Sequence, residues 1–189
     1  CPTAICKKCG LVQASPRMRQ KDYFEFYNME YRRLYEATKE PTEQFFALQY
    51  SRAAQICAYI EKVTGLKIEG KFVAEIGTGA GGILQYFKEK GNDVYGLDIG
   101  RQYLKFGASK GLWLEAGGVE KLEKIGRKPD IVIYSHVAEH LLDPVAEFRK
   151  LKKFLAKGGF LFLEVPGIKD LHLYSGHGYR SDFLKALPD

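Results

Sequence analysis

The 189 residues contain no apolar run approaching the ~20 that a membrane-spanning helix needs. No charged-then-apolar leader opens the chain. Both absences point to a soluble, intracellular protein, with the cytoplasm as the expected location and no membrane partner. The first residue is Cys1 and not methionine, so the numbering is expected to begin inside a longer protein. Cysteines are few: Cys1, Cys6, Cys9 and Cys57. In a chain that is 46% hydrophobic, that scarcity argues against a disulfide scaffold and for an ordinary apolar core. A long block of one charge is lacking too. The formal net charge is +6, but Lys67, Lys71, Lys88, Lys90, Lys105 and Lys110 are scattered along the chain. The run Arg149, Lys150, Lys152, Lys153 falls on one amphipathic stretch and reads as its wet face. Without a basic-aromatic stripe, nucleic acid is not the expected partner.

Three regions separate. Residues 1–20 are short, cysteine-bearing and strand- or loop-like. Residues 21–70 are aromatic and helical in pattern. A helix is expected to start near Pro41, to bury Phe45, Leu48, Ala53, Ile56, Ile60 and Val63, and to close at Gly65. Cys57 falls among apolar neighbours and reads as buried filler.

From 71 to 189 the pattern alternates between strand and helix. Strands are expected at 71–76, 93–97, 112–114, 131–134 and 160–165, with helices at 82–90, 101–110, 119–125 and 144–155. The fold class is therefore α/β, a doubly wound Rossmann-like parallel sheet with right-handed crossovers. Ligands on such a sheet bind beyond the carboxyl ends of its strands. The chemically interesting residues collect there. Glu75 and the loop Gly77-Thr78-Gly79-Ala80-Gly81 follow the first strand; Asp98 and Ile99 end the second. Gly117-Gly118 follow the third strand, Ser135 and His136 the fourth, and Pro166-Gly167 the fifth.

A glycine-rich turn from strand to helix lets a ligand approach the backbone closely. The spacing of Gly77, Gly79 and Gly82 also matches the dinucleotide fingerprint, a weak signal alone. Glu75 sits badly beside a pyrophosphate, because like charges repel, but suits a ligand carrying a cationic group. Asp98, about twenty positions after the first glycine, is placed to accept both hydroxyls of a ribose. It also has a plain alternative as the cap of the helix near Arg101.

The run Tyr134-Ser135-His136-Val137-Ala138-Glu139-His140-Leu141-Leu142-Asp143-Pro144 is the most distinctive in the chain. His136-x-x-Glu139-His140 matches an inverted zinc-protease pattern, but that chemistry needs both histidines on one helix face, and here a β-branched strand feeds the run directly. Together with Glu75 to Gly81 and with Leu155-Ala156-Lys157-Gly158-Gly159-Phe160-Leu161, the run resembles the class I S-adenosylmethionine-dependent methyltransferases. The resemblance spans about residues 71–167 and is carried by order and spacing.

That resemblance implies S-adenosylmethionine as cofactor. Glu75 would face its cationic amine across the loop at Gly77, Thr78, Gly79 and Gly81, and Asp98 with Ile99 its ribose. Ser135 and His136 would lie beside the methionine part. Glu139 and His140 would lie near the transferring methyl, with His140 as general base and Glu139 either orienting it or binding a charged acceptor. A packing or capping role for His140 stays open. Tyr23, Tyr27, Tyr31, Tyr35, Gln49 and Arg52 would cover the cofactor or simply pack on the sheet.

Two departures stand out. Members of the family often carry an acid after the third strand to hold adenine, whereas this chain has Gly117-Gly118; backbone groups or stacking on Trp113 are the expected substitutes. The family sheet ends with two further strands. Residues 166–189, with His172, Tyr174, His177 and Tyr179, do not read as two strands, so the sheet is expected to stop short.

Cys6-Lys7-Lys8-Cys9-Gly10-Leu11-Val12 has the form of a zinc knuckle, but a structural zinc takes four ligands. A subset of the family carries an amino-terminal zinc ribbon whose second half is similar to this run. The expectation is half a ribbon at residues 1–20, with Cys6 and Cys9 as ligands of a structural zinc in the full-length protein. Two reduced surface thiols are the alternative.

The expected reaction is methyl transfer to a small-molecule or sugar-like acceptor. A NAD(P)-dependent oxidoreductase and a non-catalytic cofactor-binding module remain as rivals. The acceptor, its target atom and the oligomeric state are not legible.

Overall fold

The computed structural model describes residues 3–10, 12–27 and 40–166. A small antiparallel pair comes first, β1 (Thr3–Ile5) with β2 (Val12–Ala14), followed by helix α1 (Gln20–Phe26). Helix α2 (Glu43–Thr64) leads into a five-stranded parallel sheet: β3 (Phe72–Ile76), β4 (Asp93–Asp98), β5 (Leu114–Ala116), β6 (Ile131–Ser135) and β7 (Phe160–Glu164). Between them lie α3 (Gly82–Glu89), α4 (Arg101–Ser109) and α5 (Pro144–Phe154), with 3-10 turns at Val119–Lys124 and Ala138–His140.

The strand order is β5-β4-β3-β6-β7. The chain builds outward from β3 to β5, then returns to lay β6 on the other side of β3. That reversal is the topological switch point, where a crevice opens at the carboxyl ends of β3 and β6. β3 is buried along its whole length, as a central parallel strand covered on both faces must be. Val73 turns toward one apolar cluster, with α2 and α3; Phe72, Ala74 and Ile76 turn toward the other, with Leu122 and Leu151.

Local chemistry sets the helix ends. Thr42 caps α2, its hydroxyl accepting from Phe45 N–H at 3.0 Å, and Gly65 ends it in the left-handed region, φ 69°. Asp143 caps α5 just before Pro144 by accepting from Ala146 N–H at 2.9 Å. α2 buries Phe46, Ala53, Ile56, Cys57 and Ile60. Each large apolar side chain of that set contributes roughly 1.5–3 kcal/mol. Ala53, Ile56 and Ile60 of the expected face are buried and Phe45 partly so, whereas Leu48 is 61% and Val63 64% exposed. α2 presses so closely on α3 that a Cβ at Gly82 would lie 2.4 Å from the Phe46 carbonyl oxygen.

Two other expectations are corrected. β5 covers 114–116, not 112–114, and pairs Gly96 with Leu114 and Asp98 with Ala116. Leu112 instead folds into the core from the turn after α4, its N–H bonded to Gly107 O. The segment expected as a helix at 119–125 is a 3-10 turn. In that geometry residues three apart eclipse, which buries Val119 and Leu122 together. The expectation about strands after Val165 lies outside the described residues from 167 on, as do Tyr31, Tyr35, His172, Tyr174, His177 and Tyr179. Among the described residues, no helix is long and apolar enough to cross a membrane.

Candidate functional site

The loops after β3, β4, β5 and β6 open into one cleft of about 1020 Å³. Of the residues singled out in the sequence, Gly77, Asp98, Ile99, Gly117, Gly118, Ser135, His136 and His140 all lie on its wall. Tyr23, Tyr27, Gln49 and Arg52 close it from α1 and α2.

The glycine loop is held from beneath. Gly77 has φ 74°, and a Cβ there would fall 2.2 Å from Val137 Cγ2, so only glycine brings β3 this close to the β6 loop. Gln49 clamps the loop with both ends of its amide. Its Nε2 donates to Thr78 O at 3.0 Å, and its Oε1 accepts from Gly82 N–H at 3.3 Å, satisfying one orphan donor at the start of α3. The residues expected around the loop therefore divide. Gly77 faces the cleft, whereas Thr78, Gly79 and Gly81 build the loop and do not line it.

Glu75 departs from expectation. It is 1% exposed, does not line the cleft, and accepts from the Thr78 hydroxyl at 2.8 Å. Burial pushes its carboxyl up to about 8; Asp98 adds to the rise, while the Thr78 hydroxyl and Arg52 oppose it. Near pH 7 Glu75 thus keeps its proton and works as a post under the loop, not as an exposed anion.

Asp98 is fixed by the backbone. Its Oδ2 accepts from Gly79 N–H and its Oδ1 from Gly100 N–H, each at 2.7 Å. These charge-assisted bonds hold its carboxylate at the cleft wall. Beyond β5, Glu120 also lines the cleft, and its Oε1 accepts from Gly118 N–H at 3.0 Å. This acid was missed because it stands inside the 3-10 turn, beyond the glycine pair. Trp113 packs against Tyr95, ring centroids 4.6 Å apart, and does not line the cleft, so stacking of adenine on it is set aside.

At the carboxyl end of β6 a polar cluster forms around Glu164, the last residue of β7. Glu164 Oε2 accepts from Arg52 Nη2 at 2.8 Å and from Ser135 Oγ at 2.7 Å. Its carbonyl accepts from His136 N–H at 2.9 Å. That bond helps hold His136 at φ 56°, a left-handed conformation rare for a residue with a side chain. Arg52 and Glu164 are each about one-third exposed, so the pair contributes orientation more than stability. Glu164 carried a readable signal, an acid closing the fifth strand on the ligand edge. Its partners were not readable.

Glu139 stands between the two histidines, Oε1 lying 3.6 Å from His136 Nδ1 and 3.9 Å from His140 Nε2. Burial holds the His140 imidazole below its ordinary value; Glu139 pulls it up and His136 pushes it down. His140 is therefore neutral near pH 7, the form that accepts a proton.

At the amino terminus, the backbone N–H groups of Lys8 and Cys9 lower the Cys6 thiol. Such a turn suits a soft divalent metal, but among the described residues no group of three or more metal-ligating side chains assembles. Cys6 and Cys9 alone supply two of the four ligands that a structural zinc takes.

Comparison with known proteins identifies the family. The ubiquinone biosynthesis O-methyltransferase of Aliivibrio fischeri (strain MJ11) is 27% identical over 110 residues, 54% of this chain and 46% of that protein. The tRNA U34 carboxymethyltransferase of Campylobacter hominis is 34% identical over 106 residues, 52% of this chain and 37% of that protein. The SAM-bound structure of CalS10, an amino pentose methyltransferase from Micromonospora echinaspora, superposes with a TM-score of 0.52 at 25% identity, covering 63% of this chain and 51% of that one. The chain spans about half the length of such relatives or less. A methyltransferase domain family matches residues 48–186, from the second turn of α2 past the end of β7, and the chain belongs to that family.

Proposed function

We propose that this chain binds S-adenosylmethionine across the carboxyl edge of its sheet and transfers the methyl group to a small-molecule or sugar-like acceptor. One observation carries the reading: Asp98, fixed by two backbone N–H groups, and His140, held neutral by burial, lie on the wall of the same cleft. A solved relative is SAM-bound.

The residues fit the group. Asp98 and Ile99 would take the ribose, Gly77 the close approach at the loop. Ser135, His136 and Arg52 line the part of the wall suited to a methionine tail. Arg52 carries five N–H donors, and its Nη2 alone serves Glu164 and Ser135, so its fork can also meet a carboxylate. Glu120 and the backbone of Gly117 and Gly118 stand where the adenine side is expected.

S-adenosylmethionine, when bound, supplies a methyl group already activated on a sulfonium. The chain must then align the acceptor, exclude water and remove a proton from an oxygen nucleophile. His140 takes that proton, and Glu139 holds the imidazole. Tyr23 and Tyr27 cover this end of the cleft.

Calorimetry separates this reading from its rivals. S-adenosylmethionine is expected to bind and NADH is not. Binding of NADH alone would select the oxidoreductase. A screen of hydroxylated small molecules and sugars then seeks the acceptor. Cofactor binding with cellular function intact in both His140→Ala and Glu139→Ala would favour a non-catalytic module.

A further inference from the structure

Helix α1 and the segment that leads into it reach the cleft through main-chain carbonyls. The Tyr23 hydroxyl donates to the carbonyl of His140. Arg17 Nη2 donates to the carbonyl of Leu141, the next residue, at 2.9 Å. Both carbonyls close the 3-10 turn Ala138–His140, whose own bonds are His140 N–H to Val137 O at 3.0 Å and Leu141 N–H to Ala138 O at 3.2 Å. A turn this short leaves its trailing carbonyls without internal partners and is not stable by itself.

The aromatic rings repeat the connection. Tyr23 and Tyr27 have ring centroids 4.4 Å apart, and Tyr27 meets the His140 ring edge-on at 5.6 Å. One tyrosine thus grips the backbone of His140, while the ring it packs against touches the imidazole.

We infer that Tyr23 is a positioning residue: with Arg17 it clasps the carbonyls of His140 and Leu141, and through Tyr27 it sets how the imidazole stands in the cleft. This rests on the reading of His140 as the group that takes the proton. Tyr23 need not touch the acceptor to act. A mis-set base costs rate even when binding is intact.

Among the described residues, the charged and titratable neighbours of the imidazole include Glu139, at 3.9 Å, His136, which shares the same carboxylate oxygen at 3.6 Å, and the Tyr27 phenol, its ring centroid 5.6 Å away. Glu164 lies beyond His136, at 3.8 Å from its Nε2. Arg17 holds the next carbonyl. None of these groups is removed by Tyr23→Phe. A change in the imidazole of that variant therefore reports orientation and hydration, not a lost charge.

The test is a proton NMR titration of the four histidines of the 189-residue chain, with His140 assigned through a His140→Gln variant. It needs no acceptor. In Tyr23→Phe the ring pair with Tyr27 is kept, while the donor to His140 O and the hydroxyl's bond with Tyr27 are lost. The His140 midpoint is expected to rise by roughly half a unit as water reaches the ring, and the cross-relaxation between the Tyr27 and His140 rings to weaken. Arg17→Met is expected to move both in the same direction by less, and provides the reading should Tyr23→Phe fold poorly. In Arg17→Met the S-adenosylmethionine affinity should stay within about twofold, since Arg17 does not line the cleft. If the His140 midpoint and its contact with Tyr27 are unchanged in both variants, the clasp does not position the imidazole. The two readings fail separately. Full methyl transfer by His140→Gln would remove the base assignment, while the titration would still decide what Tyr23 does.

Discussion

The amide of Gly79 donates to Asp98 Oδ2 at 2.7 Å, tying the glycine loop after β3 to the acid that ends β4. Gly100 N–H holds the other oxygen at the same distance. Asp98 is thus both a wall of the cleft and the peg on which the loop hangs. Asp98→Ala should lower S-adenosylmethionine affinity at least about tenfold and cost roughly 1.5–3 kcal/mol of stability. Calorimetry and thermal melting read the two effects. Unchanged affinity would remove Asp98 from the cofactor site.

Gly77→Ala should be more severe than its single methyl suggests. The new Cβ meets Val137 Cγ2 at 2.2 Å in a backbone of φ 74°. Strain of about 1–3 kcal/mol and a marked loss of cofactor binding are expected. Adding Val137→Ala should restore part of the stability, because the clash goes and the backbone strain stays. No recovery in the double variant would show that the contact is not the cause.

Glu75 makes a pH prediction with an unusual sign. Its folded value of about 8 lies above that of an unfolded glutamate, so between those values the folded chain holds more protons than the unfolded one. Its contribution is fully present below the unfolded value and is lost as pH rises toward the folded one. Stability should therefore fall from about pH 5 to pH 8, by on the order of a few kcal/mol. Glu75→Gln should flatten that slope in denaturant melts run across the window.

His140 sets the acid side of the reaction. Burial keeps its imidazole below the ordinary histidine value, so the neutral form should persist below pH 6.5. With an acceptor from the screen, the acid limb of kcat should fall below that pH, and His140→Gln should lower kcat about 10²–10⁴-fold with cofactor affinity kept. An acid limb unchanged by His140→Gln would assign it to another group.

Gln49→Ala should loosen the loop from the outside. Two bonds vanish, to Thr78 O and from Gly82 N–H, and one start-of-helix donor is left unpaired. A loss of roughly 1–3 kcal/mol is expected, with weaker S-adenosylmethionine binding. Melting and calorimetry on one sample check both.

The central strands were readable because their burial on both faces demands near-continuous apolar runs, as at Phe72–Ile76 and Ile131–Ser135. The ends of α2 and α5 were readable because caps are local: Thr42, Gly65 and Asp143 act within a turn of themselves. Placement of Gly77, Asp98, Ser135 and His136 on one edge followed from strand alternation, whereas His140 came from the family resemblance. The start of β5 was misjudged because Leu112 is apolar for the core and not for the ladder, and one apolar residue looks the same in either setting.

What the sequence determined by itself was the order of elements, the parallel sheet and the edge on which the chemistry gathers, since each depends on periodicity and turn residues over short spans. Only the tertiary structure decided the roles on that edge. Glu75 became a buried, protonated post, Gln49 a loop clamp, Glu164 the hub for Arg52 and Ser135, and Tyr23 the grip on His140. The physical reason is that protonation and hydrogen-bond partnership depend on which distant segment excludes water from a side chain. Tyr23 and His140 stand 117 positions apart, a proximity that no local pattern encodes.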